Sequence, residues 1–183
     1  MIFMKIVIAT PLYPPEIAEP APYVKELAKR LAKKHQITIV IYGHLPEKVP
    51  GVSFICADKR WPLPIRLLHF TFSLWKEVRE TDILLAENGP SVEIPAGIVA
   101  LFTGRPLIIH IGDLGAYKKA KENMLLEYME RFASWRARRI IDKSPLPRPE
   151  IIPFNQKPQE EFDTYEKSWN AHINELENLF ASV

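Results

Sequence analysis

One cysteine, Cys56, is all the sequence holds, which excludes an internal disulfide framework and fits a reducing compartment. With one thiol and no paired histidines, zinc-ligand spacing is absent as well, so no metal site is expected. The longest apolar run, Ile94 to Phe102, contains Pro95 and falls far short of the roughly 20 residues that span a bilayer. The N-terminus has an apolar opening, but Lys5 interrupts it and no small-residue cleavage site follows, so it reads as a strand and not a signal peptide. These absences point to a cytoplasmic protein. No G-x-G-x-x-G and no G-x-x-x-x-G-K-[ST] follows the first strand. Both motifs need bare backbone to bring N–H groups close to a diphosphate. With Pro14, Pro15, Pro20 and Pro22 in that turn, neither a dinucleotide nor a P-loop site is expected, and no cofactor is assigned. A G-x-S-x-G elbow is missing too, and no interleaved basic and aromatic surface argues for nucleic acid.

What remains is the composition of an ordinary globular domain: 183 residues, 47% hydrophobic and 25% charged. The net charge of +2 conceals an asymmetry. Residues 155–183 carry six acids and two bases, leaving +6 on residues 1–154. Lys118 to Lys143 alone has eight bases against four acids. That pattern marks either an anionic partner or a solvated helix face.

Short β-branched runs alternate with helical spacing. Strands are predicted at Lys5–Ala9, Ile37–Tyr42, Val52–Ala57, Asp82–Ala86 and Leu107–Ile111, with a short sixth at Ile140–Ile141. Between them, Pro22 opens a helix carrying Val24, Leu27, Ala28 and Leu31. Ile65, Leu68, Phe72 and Trp75 mark one face of a second helix. Ser91 is placed to cap a third that ends near Gly104. A long basic helix then carries Leu125, Tyr128, Met129, Phe132 and Trp135 on one side. This alternation predicts an α/β fold, a single Rossmann-like, doubly wound parallel sheet over residues 1–142. Residues 143–158 hold five prolines and read as an irregular linker. Residues 159–183 form an amphipathic helix whose stripe, Phe162, Tyr165, Trp169, Ile173, Leu176 and Phe180, is too apolar for a solvated tail. It is expected to dock back on the domain.

Parallel sheets bind ligands at the C-terminal ends of their strands, so the turns after Ala9, Ala86 and Ile111 should meet at one crevice. Glu87, Asn88 and Asp113 sit at those ends, where polar groups either bind ligand or cap helices. Cys56 reads as a packed thiol.

Met4-Lys-Ile-Val-Ile-Ala-Thr-Pro-Leu-Tyr-Pro-Pro-Glu-Ile, followed by Tyr23-Val-Lys-Glu-Leu-Ala-Lys-Arg-Leu, resembles the opening of the retaining GT-B glycosyltransferases of the family 4 type. There a strand leads into T-P-x-x-P-P-E-x-G-G and then a Y-V-x-x-L-A-x-x-L helix. Asp82-Ile-Leu-Leu-Ala-Glu-Asn-Gly-Pro and Pro106-Leu-Ile-Ile-His-Ile-Gly-Asp-Leu are similar to the family's fourth and fifth strands, so the resemblance covers about residues 4–115. Ser168-Trp-Asn-Ala-His-Ile-Asn-Glu-Leu-Glu-Asn-Leu-Phe is similar to its final helix, which crosses back onto the N-terminal domain. The resemblance implies an acceptor-side half whose donor domain, with its basic pair and E-x(7)-E carboxylates, has no counterpart after Ile141.

On that resemblance the candidate ligand-binding residues are Tyr13, Glu16, Ala18, Glu19, Glu87, Asn88, Ser91, His110, Gly112 and Asp113. Ala18-Glu19 stands where the family has Gly-Gly, and a carboxylate there opposes a diphosphate. Members of the family have a sugar-contacting histidine in the fifth-strand turn. His110 or Gly112 occupies that position, and the more ordinary reading of His110 is that it satisfies a nearby backbone group. Glu16 and Glu19 read equally as solvated loop acids. The implied function is the acceptor-side half or subunit of a sugar-transfer enzyme, inactive without a donor domain. The alternative is a non-catalytic binding or scaffold module descended from one. The implied partners are a separate donor-domain subunit, a second copy in a homodimer, a lipid-linked or sugar acceptor, and an anionic membrane touched through the basic helix near Trp135.

Overall fold

A computed structural model describes all residues except 1–2, 44, 88, 113–114, 116–121 and 146–157. Six strands form one parallel sheet: β1 (Lys5–Thr10), β2 (Gln36–Tyr42), β3 (Val52–Ala57), β4 (Ile83–Glu87), β5 (Leu107–His110) and β6 (Arg139–Ile141). Their order is β3-β2-β1-β4-β5-β6. Among the described residues of 3–142 the helices are α1 (Ala21–Leu31), α2 (Leu63–Val78), α3 (Pro90–Thr103) and α4 (Met124–Arg136). This is the Rossmann-like fold predicted from the alternation, and the strand order reverses between β1 and β4.

The central strands are buried on both faces, which is why they read as nearly continuous Val, Ile and Leu. Side chains alternate across the sheet. Val7, Ala9, Val40, Leu84, Ala86, Leu107 and Ile109 point into one core with Phe70, Leu74 and Val78 of α2, Val92, Ala96 and Val99 of α3, and Ala133 of α4. The opposite parity, Ile6, Ile8, Ile37, Ile39, Ile83 and Leu85, faces the side where the right-handed β1–β2 crossover places α1. The start of β4 is latched to β1: the Lys5 amide donates to Asp82 Oδ2 (2.8 Å) and the Asp82 amide to the Lys5 carbonyl (2.9 Å).

Four expectations are corrected. The α2 face built from Ile65, Leu68, Phe72 and Trp75 is exposed, and the helix buries Phe70, Leu74 and Val78 instead. Trp135 is exposed, because α4 packs through the small Ala133. Ser91 caps nothing: Pro90 takes the first helical position and Gly89 the N-cap, so the Ser91 carbonyl accepts from the Tyr42 hydroxyl (2.7 Å). Cys56 is only half-buried on the edge strand, and burial still raises its pKa, as suits a packed thiol. The end of α3 is as expected, with Gly104 at φ +70° in the left-handed region.

Residues 143–183 form a second compact unit. Its helix α5 (Pro158–Ala181) is 24 residues long, and its rings make a ladder along one side: Tyr165 edge-on to Trp169 (6.3 Å) and Trp169 edge-on to His172 (5.9 Å). Phe162, expected in the same stripe, is exposed. Most of the proline-rich linker lies outside the described residues.

Candidate functional site at the strand ends

The register that pairs Leu84 with Leu107 brings Glu87 opposite His110, on the face that α1 covers. Both sit in the last row of their strands, and both are fully buried. Glu87 Oε2 and His110 Nδ1 are 2.9 Å apart. Tyr23, in the first turn of α1, lies flat on the imidazole with ring centroids 4.3 Å apart and planes 16° from parallel. Gly112 closes the group. A Cβ there would stand 3.0 Å from Glu87 Oε2, 3.2 Å from Pro20 Cβ and 3.4 Å from His110 Cε1. A methyl group has no room among a buried carboxyl, a proline ring and a stacked imidazole. We expect Gly112→Ala to cost about 1–3 kcal/mol, as overpacking does. A urea melt matching the parent would show that the turn yields freely.

Burial pushes the Glu87 carboxyl up, the proximity of His110 pulls it back down, and the Glu19 charge adds a further rise. Tyr23 is raised well above its ordinary value by burial and then by Glu87, so it stays a neutral phenol. Glu87 Oε1 finds no hydrogen-bond partner among the described residues. The pair is therefore a carboxyl whose ionised form burial disfavours, set against an imidazole stacked on Tyr23. Such a pair can set the tautomer of His110 and pass a proton within the group.

A carboxyl raised in the folded state contributes stability that is fully present below the unfolded value, about pH 4.3, and is lost as the pH rises through the folded value. Glutamine has no proton to lose. Glu87→Gln should therefore gain stability relative to the parent between pH 5 and pH 8, read as diverging urea midpoints. A constant loss at both pH values would mean that the carboxylate is held ionised by a charged His110.

The other candidates spread around this centre. Tyr13 is buried, edge-on to Phe54 (5.2 Å), with its pKa pushed up to about 12 by burial and then by Glu47. Its hydroxyl has no partner among the described residues. Glu16 is ion-paired to Lys59, and so is not a free loop acid. The Ala18 carbonyl accepts from the Ala21 amide (2.9 Å), which starts α1, and Glu19 is exposed. Ser91 is tied to Tyr42 at the β2 end. Asn88 and Asp113 lie outside the described residues. The structure thus unites Glu87, His110 and Gly112, and adds Tyr23, which sequence reading left in a helix motif. Tyr23 was findable as the aromatic of the first helical turn after the first strand, a position that faces the strand ends. Among the described residues no group of three or more His, Cys, Asp or Glu could hold a metal.

No protein-family model matches the chain, and no curated protein matches it. Solved structures do. The chain is similar to Anabaena HepE in complex with UDP and glucose, at 17% identity and a TM-score of 0.52, covering 75% of this chain and 37% of that one. In the UDP complex of the same protein the match covers 89% of this chain and 41% of that one, with a TM-score of 0.50. It is also similar to UDP-GlcNAc 2-epimerase from Methanocaldococcus jannaschii, at 14% identity and a TM-score of 0.50, covering 75% and 38%. The fold is thus that of a Rossmann-like domain of the GT-B type. The chain spans about two fifths of the length of these proteins or less.

Proposed function

We propose that this chain is the acceptor-side half of a sugar-transfer enzyme and works only with a donor domain. The carrying observation is the buried Glu87–His110–Tyr23 cluster beneath the strand-end edge of a sheet whose fold matches a stretch of HepE. The first turn and final helix, which resemble the family 4 type, add to this reading. In it, the buried Glu87–His110 pair fixes the last row of β4 and β5 beneath the surface on which the acceptor binds. In the same reading, and on the resemblance alone, α5 is the family's final helix, expected to return to the sheet domain. Apolar side chains stand exposed in the loops that leave β1 and β2, Ile17 at 92% and Leu45 at 75%, which suits an edge made to be covered. The cover is a donor domain or, in its absence, a second copy.

The test is turnover in trans. The purified chain alone should consume no UDP-sugar. Supplied with a separate nucleotide-binding domain from its own source, it should transfer sugar, and Glu87→Ala should abolish this while leaving the complex intact. UDP-sugar turnover by the chain alone would overturn the dependence on a partner.

A scaffold module descended from the same enzyme is favoured by one observation. Glu19 places a negative charge in the first turn, close enough to raise Glu87, where a diphosphate would approach. Transfer in trans would remove that reading.

A further inference from the structure

The edge of the sheet opposite the strand-end cluster carries a polar recess of its own. β1 and β2 enter the sheet in register, with Lys5 beside Gln36 and Val7 beside Thr38. Val7 points into the core under α2, so these first rows present their side chains beneath the end of that helix. A cleft of about 70 Å³ opens there. Its polar lining is Lys5, Gln36 and Thr38 from the strands, with Glu77, Glu80 and Thr81 from the end of α2 and the turn after it. At about 10–15 Å³ for each water-sized group, it has room for a molecule of about five to seven non-hydrogen atoms.

Most of this lining is not satisfied within the protein. Thr81 is, since its hydroxyl donates to the Lys5 carbonyl (2.6 Å). Thr38 is only 9% exposed, yet its hydroxyl makes no hydrogen bond among the described residues. The Lys5 ammonium and the Glu77 and Glu80 carboxylates share the cleft and enter no ion pair among the described residues. Arg79 lies instead against Trp75, its guanidinium 5.7 Å from the ring centre. The recess thus sets one cation on its strand floor, two carboxylates at its helix end and a buried hydroxyl with an open valence. A plain anion would meet two carboxylates, and a plain amine would leave Lys5 unmatched. A ligand carrying both charges suits both walls. We propose that this cleft binds a small zwitterion of the amino-acid class, its ammonium on Glu77 and Glu80 and its carboxylate on Lys5 and the Thr38 hydroxyl. The site lies at the edge where the strands begin, away from the strand ends, and is independent of the sugar-transfer reading.

Glycine titrated into the full chain at constant ionic strength, followed by amide NMR spectra, tests it. The signals of Lys5, Thr38 and Glu80 should move, with a Kd of about 1 mM, a realistic affinity for so small a ligand. Ethanolamine and acetate, which each keep one of the two charges, should bind roughly tenfold more weakly or worse. Glu77→Gln with Glu80→Gln should weaken glycine by a similar factor, with the melting temperature unchanged, since neither side chain is buried. Lys5→Met should erase the preference for glycine over ethanolamine, and Thr38→Val should weaken glycine while keeping the shape of the strand. Silent spectra would show that the cleft holds water alone and overturn the proposal. Acetate or ethanolamine matching glycine in the parent, or glycine binding that survives loss of both carboxylates, overturns it too. So do shifts confined to the strand ends, which would place glycine in the other site.

Discussion

Phe70→Ala should destabilise the protein by about 3–5 kcal/mol, while Phe72→Ala, two residues along the same helix, should change stability by less than about 0.5 kcal/mol. Phe70 is fully buried and lies flat on the Tyr42 ring, with centroids 4.3 Å apart and planes 16° from parallel. Its removal leaves a cavity under the end of β2 and frees Tyr42. The Tyr42 hydroxyl donates to the Ser91 carbonyl and so ties β2 to the start of α3. The loss should therefore spread to the strand-end cluster and appear as faster hydrogen exchange in the first turn of α3. Phe72 points outward, touching Trp75 edge-on at 6.2 Å, and its loss removes surface. Urea melts of the two variants decide the matter. Equal losses would mean that α2 is turned about its axis from the arrangement described.

That pair also shows where sequence reading stops. The strands were legible because each is buried on both faces and carries an apolar run of strand length. On α2, two apolar lines coexist at helical spacing, Ile65–Leu68–Phe72–Trp75 and Phe70–Leu74–Val78. Periodicity detects both and ranks neither, because the choice is made by the β2 and β3 surface underneath. At α4 the buried contact is Ala133, too small to signal itself beside Phe132 and Trp135. Within the site, Glu87 and His110 were each visible as polar residues at strand ends. Their partnership was not, since it depends on the β4–β5 register, a property of the pair of strands and of neither alone. Ser91 had the chemistry of a cap, yet Pro90 before it claimed the first helical position and moved the cap to Gly89.

Trp169→Ala should cost about 3–5 kcal/mol, the usual range for a buried large aromatic. The argument is one of area. Tyr165, Trp169, Ile173, Leu176 and Phe180 follow one another at helical spacing along α5, and the rings of Tyr165 and Trp169 already meet edge to edge. Five such side chains left in water would forgo on the order of 10 kcal/mol, at about 1.5–3 kcal/mol each, and would invite aggregation. A helix of 24 residues carrying six acids in residues 155–183 does not hold itself together in water on propensity alone. In the acceptor-side reading the missing burial comes from the sheet domain, as the resemblance of this helix to the final helix of the family 4 enzymes implies. A chain ended at residue 157 should then melt well below the parent, and the parent with Trp169→Ala should fall between the two. Melting temperatures that coincide for all three would show α5 to be undocked, and the acceptor-side reading would lose its support outside the first thirty residues and the strand-end cluster.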